Sequence, residues 1–419
     1  IMKQSKIILK SLELKKKPVI KQDLEPILDN ILKNLDKKNG GYLGSPKFPI
    51  FNVYDTLIYF YNKTKDKKYL DPVKIILTKL SAEGIYDHVE GGISRYTVDE
   101  NWLIPHFEKM LYDNAQFVSL LSKYLKITPD KYFMEKTIQT IDFINSNFKN
   151  KKDGLMGSAY DADSDGEEGK YYVFSYEELK KINQIEKFFD VQKEGNWEGK
   201  IILKEISPPP KKILIALKNL RKKRIKPFFD NKTQLDLNCI WVSTLIYAHK
   251  SLPDKDYLKM AINMYSNLEK KFLNQNLFHS NSKSIVFLED YAYAINMLID
   301  LYDVTLNIKY KLKAREICDE VLKKFYVKDK AIFQKNEIKT NNLFCNPIDI
   351  SDHNIPNGNS IMLLNFSRLD YKDEGKELSN SLNSYLNTYK LFMTSSLKSI
   401  DFFNATQSGK NCNEEGCLI

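Results

Sequence analysis

The constraint that narrows this chain most is a recurrence of apolar stripes at helical spacing, arranged in pairs. Leu24, Ile27, Leu28, Ile31, Leu32 and Leu35 mark the first stripe, which Asn39-Gly40-Gly41 ends. Further stripes run over 54–61 and 69–80, then from His106 to about 126 and over 131–148. After an irregular middle the pairing resumes as 235–250 with 257–272, 288–302 with 310–325, and 360–369 with 374–391. The links inside the pairs are short, as at 126–130 and 305–308, so partner helices should be antiparallel neighbours. After the second helix of several pairs comes a turn and a short apolar piece: NGGYLG (39–44), EGIYDH (83–88), DGLMGS (153–158), QNLFHS (275–280) and KAIFQK (330–335). A helical hairpin repeated in this way implies a solenoid or, if it closes, a ring of hairpins. The expected class is therefore all-α, with short β elements in the loops. Residues 161–236 break the rhythm: YYVFSYEEL (171–179) reads as a short strand and a Ser-capped helix, and SPPPKK (207–212) as a turn or extended spacer. Within them, 176–230 is expected as an elaboration inside the array rather than a domain of its own.

Charge excludes some partners. The net charge is +10, but only five of the basic residues are arginines (95, 221, 224, 315 and 368), and the lysines are scattered. Apart from Arg221-Lys222-Lys223-Arg224 there is no basic footprint, so no nucleic-acid partner is expected. No apolar run approaches ~18 residues, so no membrane partner is expected either. Five dispersed cysteines (239, 318, 345, 412 and 417) do not make a disulfide scaffold, which favours a reducing, cytoplasmic setting. The chain opens on Ile1 without a cleavable leader pattern, so 1–20 reads as a lead-in from an upstream region.

The chemistry gathers at 84–114, GIYDHVEGGISRYTVDENWLIPHFEKMLYDN. Pro105 suits the first position of a helix. If that helix starts there, His106, Lys109, Asp113 and Gln116 share one third of its circumference, with Tyr112 at the edge. An imidazole, an ammonium, a carboxylate and a phenol on one stripe could hold a polar substrate and exchange protons with it. A solvated face or a satisfied buried network is the alternative. The preceding loop adds Asp87, His88, Arg95, Tyr96 and Trp102. A second cluster, YDADSDGEEG (160–169), resembles half of a calcium loop, but Tyr172 stands where the bidentate glutamate is required, so no metal is expected. Asp161 and Asp163 then either face a pocket as acid or base, or belong to an acidic turn. Glu289 and Asp290 open a helix, where acids suit the dipole. No nucleotide-binding or serine-hydrolase motif appears, and no cofactor is expected.

Three stretches carry a resemblance to a known family: GGYLGSPKFP (40–49), GIYDHVEGGISRYTVDENWLIPHFEKMLYDNAQ (84–116) and YDADSDGEEGKYYVFSYEEL (160–179). Weaker matches are DNKTQLDLN (230–238), LEDYAY (288–293) and PNGNS (356–360). Through these the chain resembles thioredoxin-domain-containing proteins of the spermatogenesis-associated protein 20 type. The resemblance implies an (α/α)6 toroid of the six-hairpin glycosidase type over 21–395, with 396–419 as a C-terminal tail. It also implies a thioredoxin-like partner domain upstream, of which this sequence has no Cys-x-x-Cys. Ser94 stands where the family usually has histidine, Leu237 where it has tryptophan and Cys239 where it has glycine.

The expected function is acid–base chemistry on a small-molecule or oligosaccharide substrate, either glycoside hydrolysis or sugar epimerisation. His88, His106, Asp113, Asp161 and Asp163 are the expected catalytic groups. Asp87, Arg95, Tyr96, Trp102, Lys109, Tyr112 and Asp290 are the expected binding groups. The alternative is a non-catalytic toroid that binds a glycan or protein and acts with the thioredoxin-like domain.

Overall fold

The computed structural model describes residues 23–274, 277–281, 285–338, 346–409, 412–413 and 416–417. The expected lead-in 1–20, part of QNLFHS, Cys345 and the side chains of Cys412 and Cys417 lie outside them. In chain order the α-helices are α1 (Glu25–Asn34), α2 (Phe51–Thr64), α3 (Lys67–Ala82), α4 (Leu111–Ile127), α5 (Lys131–Asn147), α6 (Tyr176–Leu179), α7 (Lys211–Arg221), α8 (Leu235–Ser251), α9 (Tyr257–Leu268), α10 (Leu288–Thr305), α11 (Ile308–Phe325), α12 (Gly358–Leu369), α13 (Lys372–Tyr389) and α14 (Thr394–Gln407). The described chain divides into two compact units. One comprises Asn34–Tyr54 and Asp66–Asn267. The other comprises the described residues up to Lys33, Asp55–Lys65 and the described residues from Leu268 onward.

In the first unit α4 and α8 pack along each other, and α5 packs on α4. Both α4 and α8 are buried on nearly every side, whereas α5 buries Phe133, Thr137, Thr140, Ile141 and Ile144 and turns its other face outward. A helix apolar all round needs neighbours all round, and an amphipathic one closes the outside, so the hairpins make an inner and an outer layer. The α4–α5 link is sharp because Asp130 caps α5, its side chain accepting the Phe133 amide. The second unit repeats the scheme with α10 inside and α11 outside, then α12 inside and α13 outside. There α2 is held on α14 by Thr56 Oγ1 donating to the Thr394 carbonyl and by Asp401, which takes Tyr59 at 2.7 Å and Lys63. The segment expected as a tail, 396–419, thus begins inside a packed helix.

An asparagine clamp recurs at the start of inner helices. Asn114, fourth in α4, accepts the Ile93 amide at 2.8 Å and donates to the Ile93 and Met110 carbonyls. Asn238, fourth in α8, does the same for Met156 and Gln234. Asn359 in α12 does it for Phe333 and Asp349. At the fourth position of α2, Tyr54 instead accepts the Gly41 amide at 2.6 Å. Three of the short apolar pieces seen in the sequence are therefore segments that a side chain at the start of a helix pins, in addition to their bridges at Tyr42, Met156 and Phe333.

The helix expected from Pro105 begins instead at Leu111, which removes the common face of His106, Lys109, Asp113 and Gln116. Residues 104–110 do not join the helix because several of their backbone groups already have other partners. Thr97 bridges Pro105, the His106 amide donates to Tyr96 and the Arg95 amide to Glu108. Strand β1 (Lys109–Met110) pairs with β2 (Ala159–Tyr160), which pairs in turn with β5 (Phe229–Asp230). Phe107 takes a positive φ of 55° inside this stretch, which no helix allows. The acidic run folds into a hairpin of β3 (Asp163–Ser164) and β4 (Glu167–Glu168), turned by Asp165 and Gly166 at φ 53° and 75°. In the elaboration, Phe174 makes only an isolated bridge to Ile201, and the Ser175–Glu178 capping box is present. The elaboration packs Leu179, Phe189, Ile201, Ile213 and Leu217 into one core with Phe174 and with Val89 of the loop before α4.

Candidate active site

The loop before α4 is a tight fold whose turn at 87–92 needs glycine. Gly92 has φ +81°, and a Cβ there would meet Asn114 Oδ1 at 2.7 Å. This turn seats Asp87 in a buried ion cluster. Lys109 Nζ donates to its Oδ2 at 2.7 Å, and Arg221 Nη1 donates to both oxygens at 2.7 and 2.8 Å. Burial by itself pushes the Asp87 carboxyl up, but the charges of Arg221 and Lys109 override it and hold the group well below the usual carboxylate range. The same burial lowers the Lys109 ammonium, against the pull of Asp87. Beside the cluster is a cavity of about 20 Å³ lined by Asp87, His88, Ser94, Phe107, Lys109 and Arg221. That is room for one water, not for a sugar ring. Arg221, first read as part of a basic run, is therefore an interior residue, and Arg224 pairs with Glu178 at 2.9 Å.

His88 is likewise enclosed. Its Nε2 lies 3.1 Å from the Glu83 carbonyl, and its Nδ1 faces Glu205 at 3.3 Å and Lys136 at 3.4 Å. Burial, then the Lys136 charge, lowers its pKa against the opposing pull of Glu205, which favours the neutral imidazole. Trp102 is fully buried, donates Nε1 to the Asn39 carbonyl at 2.8 Å and has the Lys47 ammonium over its ring.

A different condition holds at the start of α4. The strand-like pairing of Arg95 with Glu108 brings Arg95 Nη1 to Glu108 Oε2 at 3.2 Å. Asp113, third in α4, is 5% exposed. Three neighbouring polar atoms, Arg95 Nε, Tyr112 Oη and Asp113 Oδ2, are buried without a hydrogen-bond partner. Burial drives the Asp113 carboxyl well above the usual range. Arg95 opposes that only in part, and the Glu108 charge adds to it. The Tyr112 hydroxyl is raised by burial and then by Asp113. Leaving such atoms unsatisfied costs roughly 1–3 kcal/mol each, so this grouping does not serve stability and makes the start of α4 the candidate site.

The remaining expected residues lie elsewhere. His106 is half-buried, stacks on Tyr96 with ring centroids 4.9 Å apart and binds Glu168 at 2.9 Å. Phe48 stacks on the same Tyr96. Asp161 and Asp163 are exposed, and Asp161 closes a local turn onto the Ala162 amide. In the other unit Asp290 caps α10 through the Phe287 amide and meets His279 Nδ1 at 3.0 Å. The structure thus brings Arg95, Tyr112 and Asp113 together, and separately Asp87 with Lys109. His88 and His106 have no partner in common among the described residues. Glu108, Lys136 and Glu205 carry no signal of their own in the sequence, and Arg221 is legible there only as part of a basic run. A recurring Leu-x-x-Asn with an acid in its first turn, at 111–114 and 235–238, is a signal that could have singled out the start of α4.

No family model matches the chain. It is 26% identical over 361 residues to spermatogenesis-associated protein 20 of Rattus norvegicus, an alignment spanning 68% of this chain and 45% of that protein. The chain spans less than half the length of the curated relatives it matches. Among solved structures it resembles cellobiose 2-epimerase from Bacillus thermoamylovorans, with a TM-score of 0.56, 16% identity and coverage of 87% of this chain and 84% of that one. It also resembles a D-mannose isomerase, with a TM-score of 0.53, 13% identity and coverage of 86% and 84%. These likenesses give the fold, an all-α (α/α)6 toroid, and the relatives bear out the resemblance to the spermatogenesis-associated protein 20 type. Among the described residues no helix is long and apolar enough to cross a membrane.

Proposed function

We propose that this chain is a sugar-processing toroid whose acid–base chemistry runs from Asp113. The observation that carries the reading is the buried Asp113 Oδ2 without a partner, beside Arg95 and Tyr112. A carboxyl held toward its neutral form by burial can deliver a proton to a glycosidic oxygen near neutral pH. Arg95 then faces charge developing on the sugar, and Glu108, fixed by Arg95, is the second carboxylate that glycoside cleavage requires. The solved structures of similar fold act on cellobiose and mannose, which supports a sugar as substrate. The enclosure of His88 by Glu205 and Lys136 weighs against an epimerisation run by two histidines.

The test is turnover of a panel of aryl glycosides, with reducing sugars as a control for epimerisation. Asp113→Asn should lower the rate by about 10²–10⁴-fold with the fold intact by circular dichroism. Unchanged turnover in that variant overturns the assignment. A second reading, a toroid that binds a glycan without turning it over, draws support from the engagement of both loop histidines, His88 with Glu205 and His106 with Glu168. On that reading sugars would raise the melting temperature and no product would form.

A further inference from the structure

Charge around Asp113 is balanced before a ligand arrives. The cation beside Asp113 and Tyr112 is Arg95, and Glu108 already takes its Nη1 at 3.2 Å. Two other basic side chains of the same stretch are engaged elsewhere. Lys109 lies buried on Asp87 and the Gly91 carbonyl, and His106 pairs with Glu168. The orphaned atoms are a guanidinium N–H, a phenolic hydroxyl and a carboxyl oxygen. Together they offer one fixed donor, the guanidinium, and two groups that can be either, the phenol and the neutral carboxyl.

We infer that this site selects a neutral, hydroxyl-bearing sugar and rejects uronates and sugar phosphates. The inference rests on the sugar reading proposed above and gives its substrate class. A sugar hydroxyl is donor and acceptor at once. Its oxygen can accept from Arg95 Nε while its O–H donates to Asp113 Oδ2, and a neighbouring hydroxyl can meet Tyr112. A carboxylate or phosphate can accept from the same donors, so hydrogen bonding alone does not exclude it and charge decides. It also adds a negative charge next to Glu108, in a place where Arg95 has already been neutralised. Two like charges a few ångströms apart at intermediate dielectric repel strongly enough to weaken binding by roughly tenfold or more.

Calorimetric titration of the full chain with the methyl glycosides of glucose, mannose and galactose, and with glucuronate, galacturonate and glucose 6-phosphate, tests this. At least one neutral sugar should bind about tenfold or more tightly than its anionic counterpart. Glu108→Gln should free Arg95 and move the ratio toward the anions by a similar factor. Wild-type chain that binds the anions as tightly as the neutral sugars overturns the inference and leaves the sugar reading standing. So does a Glu108→Gln chain with an unchanged ratio. If no sugar of either kind binds the wild type, the sugar reading itself falls and this inference falls with it. Should the variant not fold, the wild-type comparison alone decides.

Discussion

Replacing Glu205 by glutamine tests how firmly the elaboration at 176–230 is anchored, and whether His88 belongs to structure or to chemistry. Glu205 Oε2 takes the Lys136 ammonium at 2.8 Å and faces His88 Nδ1 at 3.3 Å, and its side chain is 4% exposed. Burial alone pushes its carboxyl up, but the His88 hydrogen bond and the Lys136 charge outweigh that and bring it down from 4.5 to about 2. At ~1.4 kcal/mol for each tenfold change in proton affinity, the ionised form contributes about 3 kcal/mol to folding. This agrees with the ~3–5 kcal/mol expected when one partner of a buried ion pair is removed and the other is left uncompensated. Because the folded value is depressed, the contribution is fully present above the unfolded value of 4.5 and fades as pH falls from there toward 2. Urea unfolding should therefore show wild type ahead of Glu205→Gln by about 3 kcal/mol at pH 7 and by nearly as much at pH 5.5, with the gap narrowing below pH 4.5. A gap under ~1 kcal/mol at pH 7, or one that does not change down to pH 3.5, would refute the account of this network.

Other outcomes follow from the same contacts. Asn114→Ala removes three hydrogen bonds and leaves the buried Ile93 amide and carbonyl unmatched, so it should cost about 2–5 kcal/mol in urea unfolding and speed hydrogen exchange at Ile93. Asp113→Asn should raise stability at pH 7: the Asp113 carboxyl is raised in the folded state, so its contribution is present below 3.8 and lost as pH climbs, and the variant should show a flatter stability–pH curve. Arg221→Met leaves the Asp87–Lys109 pair without the guanidinium whose Nη1 reaches both Asp87 oxygens and should lower stability by about 3–5 kcal/mol without altering sugar binding at Asp113.

Much of the helical array was legible because burial leaves a mark at a fixed period: α5, α8, α10 and α11 fall where the stripes place them, and α4 does so except for its first turn. Two segments were not. Pro105 fits a helix start, but a fixed φ suits an extended bridge equally well, and the partners that decide between them, Tyr96 and the strand at 159–160, are distant in sequence. Helix α14 was mistaken for the start of a tail because it buries Thr394, Ser395, Ser396 and Ser399 along with Leu397, Ile400 and Phe403. Small hydroxyl side chains at a tight helix contact look like linker sequence when only polarity is considered.

The site was legible as a region and not as a set of groups, and the reason is partnership. Asp87, His88, Lys109 and Trp102 look as reactive in the sequence as Arg95 and Asp113 do. Their partners decide the matter, and these come from far along the chain: Arg221 lies 134 residues beyond Asp87, and Asn39 lies 63 before Trp102. An ionisable group that is buried and satisfied holds the fold, and one that is buried and unsatisfied costs stability until something binds it. Asp113 and Asn114 state the contrast within two residues. Asn114 makes three hydrogen bonds at the start of α4, so this turn can satisfy a buried polar side chain. Asp113, beside it and just as enclosed, keeps an oxygen bare next to Arg95 and Tyr112. The same turn clamps one of these neighbours and leaves an oxygen of the other without a hydrogen bond, which is the contrast that the proposed role of Asp113 rests on.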